Sequence, residues 1–281
     1  MKEFEDKVAV VTGAASGIGK ALAERLAARG MKIVVADVER DAAQSVAADL
    51  AQTGAQTLAV QTDVTDPESV QQLADATLER FGAVHLLCNN AGVFAAGVSW
   101  ESPLSDYEWV LGVNMWGVLH GIRTFTPIFV EQGVEAHIVN TSSMAGVTSM
   151  PFCSAYHMSK HAVVSLSECL YHELSMKAPN VGVSVLCPEG VATRIDRSDR
   201  NRPQGLVVDG DASAESEIVT AALAETVRTG VDPVVIADRV IAAVEAGQFY
   251  ILSEEGWREA CHSRLDDVRA ARNPTLSVPE G

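Results

Sequence analysis

Residues 7–12, KVAVVT, form a short apolar, β-branched run that stops at glycine, and Gly13-Ala14-Ala15-Ser16-Gly17-Ile18-Gly19 follows at once. The next stretch, KALAERLAARG, has apolar residues at helical spacing and ends at Gly30. This strand, glycine-rich turn and helix constrain the fold more than any other feature. A strand apolar on both faces belongs in a covered parallel sheet, and parallel strands need helical crossovers. The turn aims backbone N–H groups and the positive end of a helix dipole at one point, where an anion fits. Glycine is needed because a Cβ would block close approach of a pyrophosphate. Gly13, Ser16, Gly17, Ile18 and Gly19 are therefore candidate dinucleotide-binding residues.

A second strand, MKIVVADV, carries Asp37 at its carboxyl end, 24 residues after Gly13. An acid at that distance meets the adenosine ribose hydroxyls of a dinucleotide. Asp37 repels a 2′-phosphate, and neither Val38 nor Glu39 supplies a compensating cation, although Arg40 is close. NAD is expected over NADP.

Tyr156 and Lys160 are four apart in SAYHMSKHAV, which continues as an apolar-periodic helix. They share one helix face. A lysine ammonium beside a phenol favours the phenolate and is expected to lower the tyrosine pKa, suiting it to general acid–base work. Ser143 offers a hydroxyl to hold the oxygen that gains or loses the proton.

The chain of 281 residues is long enough for one large α/β domain. Five cysteines, odd in number and without a C-x-x-C pair, suit free thiols in a reducing compartment. The beginning, MKEFEDKVAVVTG, shows no charged-then-apolar leader pattern. A cytoplasmic location is expected. A net charge of −16 argues against nucleic acid, anionic membrane and a strongly acidic partner. His157 and His161 are four apart but lack an H-E-x-x-H pattern, and no metal is expected.

The spacing Thr12-Gly13-x-x-x-Gly17-x-Gly19 resembles that of the short-chain dehydrogenase/reductase family, and later motifs fit in order. The resemblance spans about residues 5–252. It implies a Rossmann-like, doubly wound parallel sheet of about seven strands with helices on both faces, as a single domain over 1–281. It places Asp63 and Val64 against the adenine, and Asn90, Ala91 and Gly92 of the N-N-A-G motif behind the cofactor. Asn114, in a long helical region of roughly 103–131, matches the family's asparagine that keeps a relay water below the lysine. The family serine lies 13 residues before its tyrosine, which selects Ser143 over Ser142. Ser143, Tyr156 and Lys160 complete the implied catalytic set with Asn114, and Tyr156 and Lys160 also touch the cofactor. Pro188, Val191 and Thr193 match the P-G-x-V-x-T motif, with Thr193 contacting the carboxamide. Glu189 departs from that motif, where glycine is usual. It either shapes the substrate pocket or points to solvent.

Residues 194–230 break the regular pattern and are expected to cover the substrate. Residues 253–281 read as a last helix followed by a loose tail, PTLSVPEG. The implied reaction is NAD-dependent interconversion of a secondary alcohol and a ketone. Phe94, Met144, Met150, Phe152 and Cys153 either line an apolar site or pack in the core or an interface, and as a site they point to a hydrophobic or aromatic small-molecule substrate. Two alternatives are a 3-ketoacyl (carrier-protein or CoA) reductase, which would prefer NADPH and, for a carrier protein, a basic docking face, and a non-catalytic nucleotide-sensing protein of the same fold. The resemblance also implies a homo-oligomer, tetramer or dimer, built through the helices at 103–131 and 154–178.

Overall fold

The computed structural model describes residues 1–207, 213–252 and 255–276. Seven strands form one sheet: β1 (Val8–Thr12), β2 (Lys32–Asp37), β3 (Thr57–Gln61), β4 (Leu86–Asn89), β5 (Ala136–Thr141), β6 (Val181–Cys187) and β7 (Tyr250–Leu252). Every pairing is parallel and the order is β3-β2-β1-β4-β5-β6-β7. The chain winds one way through β2 and β3, then returns past β1 to build β4 to β7. The reversal between β1 and β4 opens a crevice at the carboxyl ends of the strands.

Among the described residues nine α-helices accompany the strands: α1 (Gly17–Ala27), α2 (Arg40–Gln52), α3 (Pro67–Phe81), α4 (Leu104–Leu111), α5 (Gly117–Gln132), α6 (Ser154–Lys177), α7 (Ala214–Thr229), α8 (Pro233–Ala246) and, after β7, α9 (Glu255–Arg269). The two faces of β1 show the pleat sorting side chains. Ala9 and Val11 join a core with Leu22 and Leu26 of α1 and Ile236 and Val240 of α8. Val8 and Val10 join the opposite core with Phe125 and Phe129 of α5 and Val163 and Leu170 of α6. Both faces are covered, so β1 reads as an unbroken apolar run.

The region read as one long helix over 103–131 is interrupted. Gly112–Trp116 is a π turn joining α4 to α5, with Asn114 inside it. The substrate-covering stretch is more ordered than a polar loop. It has 3-10 turns at Ile195–Asn201 and Gln204–Leu206 and then α7. Its residues 208–212 fall outside the described residues. The tail is not wholly loose, because Asp267 accepts from the Thr275 N–H at 2.7 Å and pairs with Arg272. Residues 277–281 lie outside the described residues. All five cysteines are free thiols. Among the described residues no helix is long and apolar enough to cross a membrane.

Candidate active site

The glycine turn sits at the crevice floor. Gly13 has φ +64, and a Cβ there would lie 2.8 Å from the Ala91 backbone. Ser16 is the N-cap of α1 with extended backbone, yet its side chain caps nothing and the first turn carries no acid. The leading N–H groups of α1 are thus left for an external acceptor. Ile18 packs on the α1-side core. The Thr12 hydroxyl, not singled out in the sequence, accepts from the N–H groups of Asn90 (2.9 Å) and Ala91 (3.1 Å). The Asn90 amide returns a bond to the Thr12 carbonyl at 3.0 Å. One hydroxyl therefore ties the end of β1 to the N-N-A-G segment after β4.

Asp37 is buried at the end of β2. Its carboxylate accepts from Ala15 N (2.9 Å) in the glycine turn and from Glu39 N (3.0 Å). Burial raises its pKa, and those two N–H groups pull it back. Asp63 is exposed and its carboxylate closes a turn on Thr65. Val64 is buried, packs against Gly117, and bonds His120 through its carbonyl.

Gly92 lies over the catalytic candidates, its Cβ position 3.4 Å from Asn114 Oδ1 and 3.6 Å from Lys160 Nζ. The Asn114 side chain is fully engaged. It accepts from Val93 N (2.8 Å) and donates to Val93 O (2.9 Å) and to Ser159 Oγ (3.1 Å). Any hold on a relay water falls to its main chain, which the π turn displaces from regular helix bonding.

The two serines have different surroundings. Ser142 Oγ is buried and donates to the Lys160 carbonyl at 2.8 Å. Ser143 Oγ accepts from Ala145 N at 3.1 Å, and its hydroxyl lies near enough to the Tyr156 phenol to pull the phenol's pKa down. Lys160 Nζ donates to Thr141 O at 3.1 Å and sits 5.5 Å from the Tyr156 ring centre. The expected lowering of the tyrosine pKa does not hold here. Burial pushes Tyr156 up to about 12, with the Ser143 hydroxyl opposing, and pushes Lys160 down to about 8. Both groups lose water on folding, and desolvation outweighs their proximity.

Pro188 receives Met144 N through its carbonyl at 3.0 Å, and Val191 bridges to Val231. Thr193 stands against Gly17. Glu189 takes neither expected course. It is nearly buried and pairs with Arg239 of α8 at 2.7 Å, leaving its second oxygen without a hydrogen-bond partner among the described residues. It faces α8 because the loop after β6 turns there to meet Val231. Of the apolar pocket candidates, Met144 is core, whereas Phe94 meets the Tyr156 ring edge-on at 5.1 Å. Cys153 lies near Tyr156, and burial keeps its thiol neutral by raising it to about 11. Phe152 is half-exposed with φ +64, an uncommon conformation for a bulky residue. His157 spends both ring nitrogens on the 145–150 loop, bonding Ala145 O, Thr148 O and Met150 N.

Four further residues escaped the sequence reading: Ser198, Arg200, Arg202 and Glu39 as a partner of Arg200. All act across long sequence separations, and only the charged run RIDRSDRNR hinted at them.

The model for the short chain dehydrogenase family matches residues 7–204. A CLA biosynthesis dehydrogenase/reductase of Lactiplantibacillus plantarum is 32% identical, covering 100% of this chain and 99% of its own. A 1-deoxy-11-beta-hydroxypentalenate dehydrogenase of Streptomyces exfoliatus is 36% identical over 94% of this chain and 89% of its own. A crystal structure of a short chain dehydrogenase/reductase from Burkholderia phymatum in complex with NAD superposes with TM-score 0.97, at 45% identity, covering 99% of both chains. The seven-stranded parallel sheet agrees with these likenesses, and the chain belongs to the short-chain dehydrogenase/reductase family of oxidoreductases.

Proposed function

We propose that this protein is an NAD-dependent dehydrogenase that interconverts a secondary alcohol and a ketone on a hydrophobic or aromatic substrate, with Tyr156 as general base. The observation that carries the reading is the gathering of Ser143, Tyr156 and Lys160 beyond the carboxyl end of β5, with Lys160 Nζ 5.5 Å from the Tyr156 ring centre and anchored on Thr141 O. The site fits NAD. Uncapped N–H groups of α1 suit the pyrophosphate. The buried Asp37 carboxylate suits ribose hydroxyls and opposes a 2′-phosphate. The Burkholderia phymatum relative holds NAD, which agrees with this preference.

When bound, the nicotinamide supplies the hydride acceptor or donor. Tyr156 Oη takes the hydroxyl proton in oxidation and returns it in reduction. Ser143 Oγ donates to the substrate oxygen and fixes its distance from Tyr156. The Lys160 ammonium favours the phenolate and would hold the nicotinamide ribose of a bound cofactor. The amide of Asn114 holds Val93 and so shapes the floor under both. Asn90, Ala91, Pro188, Val191 and Thr193 wall the crevice. Phe94, against the Tyr156 ring, and Cys153 make the substrate side apolar. Exposed Trp116, Met158 and Met176 on the π turn and α6 suit a homo-oligomer, which light scattering after size exclusion tests.

The test is nicotinamide absorbance with NAD and NADP across aliphatic, aromatic, steroidal and hydroxyacyl alcohols. NAD-linked turnover on one apolar class is expected. Binding of NAD without turnover on any class would favour the nucleotide-sensing alternative, and NADP-only turnover on hydroxyacyl substrates would favour the ketoacyl reductase.

A further inference from the structure

Residues 194–206 run across the mouth of the crevice and are fastened on both walls. On the α4 wall, Arg202 Nη1 donates to Asp106 at 2.6 Å, and its guanidinium covers the Trp109 ring at 4.3 Å. Arg202 and Asp106 are both nearly buried. Next to this anchor the buried Ser198 hydroxyl accepts from Phe94 N at 3.2 Å, directly after the N-N-A-G segment. On the β2 wall the fastening is different. Glu39 Oε1 accepts from Arg200 Nε at 2.9 Å and from Asn201 Nδ2 at 2.8 Å. This pair is about one-third exposed, 34% and 33%.

The two walls are the two sides of the topological switch, and a dinucleotide lies between them. Glu39 stands two residues beyond Asp37, at the adenosine end, and its own N–H braces the Asp37 carboxylate. Arg200 Nη1 also donates to the carbonyls of Arg194 (3.2 Å) and Arg197 (2.9 Å), so the cation holds the turn in shape as well as in place. Of the two fastenings, the buried Arg202 anchor is the hinge and the wetter Glu39 contact is the one that yields.

We infer that Glu39 is a positioning residue for the dinucleotide: through Arg200 and Asn201 it latches residues 194–206 over the adenosine end, and cofactor release waits on that latch. The inference rests on the NAD reading above. It does not require that Glu39 touch the cofactor.

The experiment is stopped-flow dissociation of NADH from the wild-type protein, Glu39→Ala, Arg200→Ala and the double variant, at low and high salt. Each single variant is expected to speed release by about 3- to 5-fold, the scale of a partly exposed ion pair. The double variant should be faster than either single one by clearly less than the product of their two effects, because the singles share the Glu39–Arg200 contact while each also loses bonds of its own. Wild-type release should quicken with salt while the variants stay flat. Thermal melts check that all four fold alike. Additive effects in the double variant, or unchanged release rates, would overturn the latch. If the wild type binds neither NADH nor NADPH, the cofactor reading falls and takes the latch with it, an outcome distinct from binding with unchanged rates.

Discussion

Gly17 and Thr193 are in contact across the crevice floor: a methyl on Gly17 would stand 2.9 Å from Thr193 Cγ2. The turn after β1 and the loop after β6 thus close on each other. Gly17 also has φ +55, which L side chains rarely adopt. Gly17→Ala is expected to cost about 1–3 kcal/mol of stability from backbone strain and to weaken NADH binding. Denaturant unfolding and NADH titration check both. A variant with wild-type affinity would show that the contact does not shape the cofactor site.

Tyr156→Phe keeps the ring, its edge-on contact with Phe94 and the pocket volume, and removes only the hydroxyl. NADH binding should persist while turnover falls by about 10²–10⁴-fold, the usual worth of a positioned acid–base group. Turnover within tenfold of wild type would sink the assignment of Tyr156 as general base.

The pH dependence has a definite sign. Burial holds Tyr156 at about 12 and Lys160 at about 8, so at neutral pH the pair rests as phenol and ammonium. Oxidation needs the phenol proton removed first, and its initial rate should climb with pH, by at most about tenfold per unit for one proton. The climb should flatten above about 8, where Lys160 loses its charge. Reduction uses the phenol as it stands and should lack the climb. Initial rates in both directions from pH 6 to 10 decide this, and an oxidation rate flat across that range counts against a titrating base.

Asn114→Ala would orphan Val93 N and Val93 O at the floor of the site and take one of two hydrogen bonds from Ser159 Oγ, which still donates to Tyr156 O. Each unpaired buried group costs about 1–3 kcal/mol. The midpoint of chemical unfolding should drop accordingly. An unchanged midpoint would mean that the π turn holds Val93 without the amide.

Arg239→Ala leaves the Glu189 carboxylate nearly buried without its cation, at a cost of about 1–3 kcal/mol or more. Glu189→Gly, which restores the residue usual in the family motif, removes the orphan. The double variant should therefore melt higher than Arg239→Ala alone. A double variant that melts lower would assign Glu189 a further stabilising partner.

What the sequence made legible was local. The glycine turn, the alternation of strand and helix, and the four-residue spacing of Tyr156 and Lys160 each lie within one or two elements, and the doubly wound sheet of about seven strands came with the family resemblance they carry. What it hid was long-range. Whether Tyr156 is raised or lowered depends on how much water the fold removes, which spacing does not express. Glu189 stood out as a departure, but its partner is 50 residues away on α8. The Glu39–Arg200 contact spans 161 residues. Asn114 could be placed in a helix, but a one-residue π widening leaves no mark in hydrophobic periodicity.

Arg202 stacked on Trp109 gives the molecule an optical reporter of its own. Trp109 is buried, whereas Trp100 and Trp116 are exposed. An indole under a guanidinium emits according to whether that cover is in place. Because Arg202 is the hinge, that emission reports whether the anchored end of the strap over the crevice is still fastened, and its loss can be followed in the unlabelled protein.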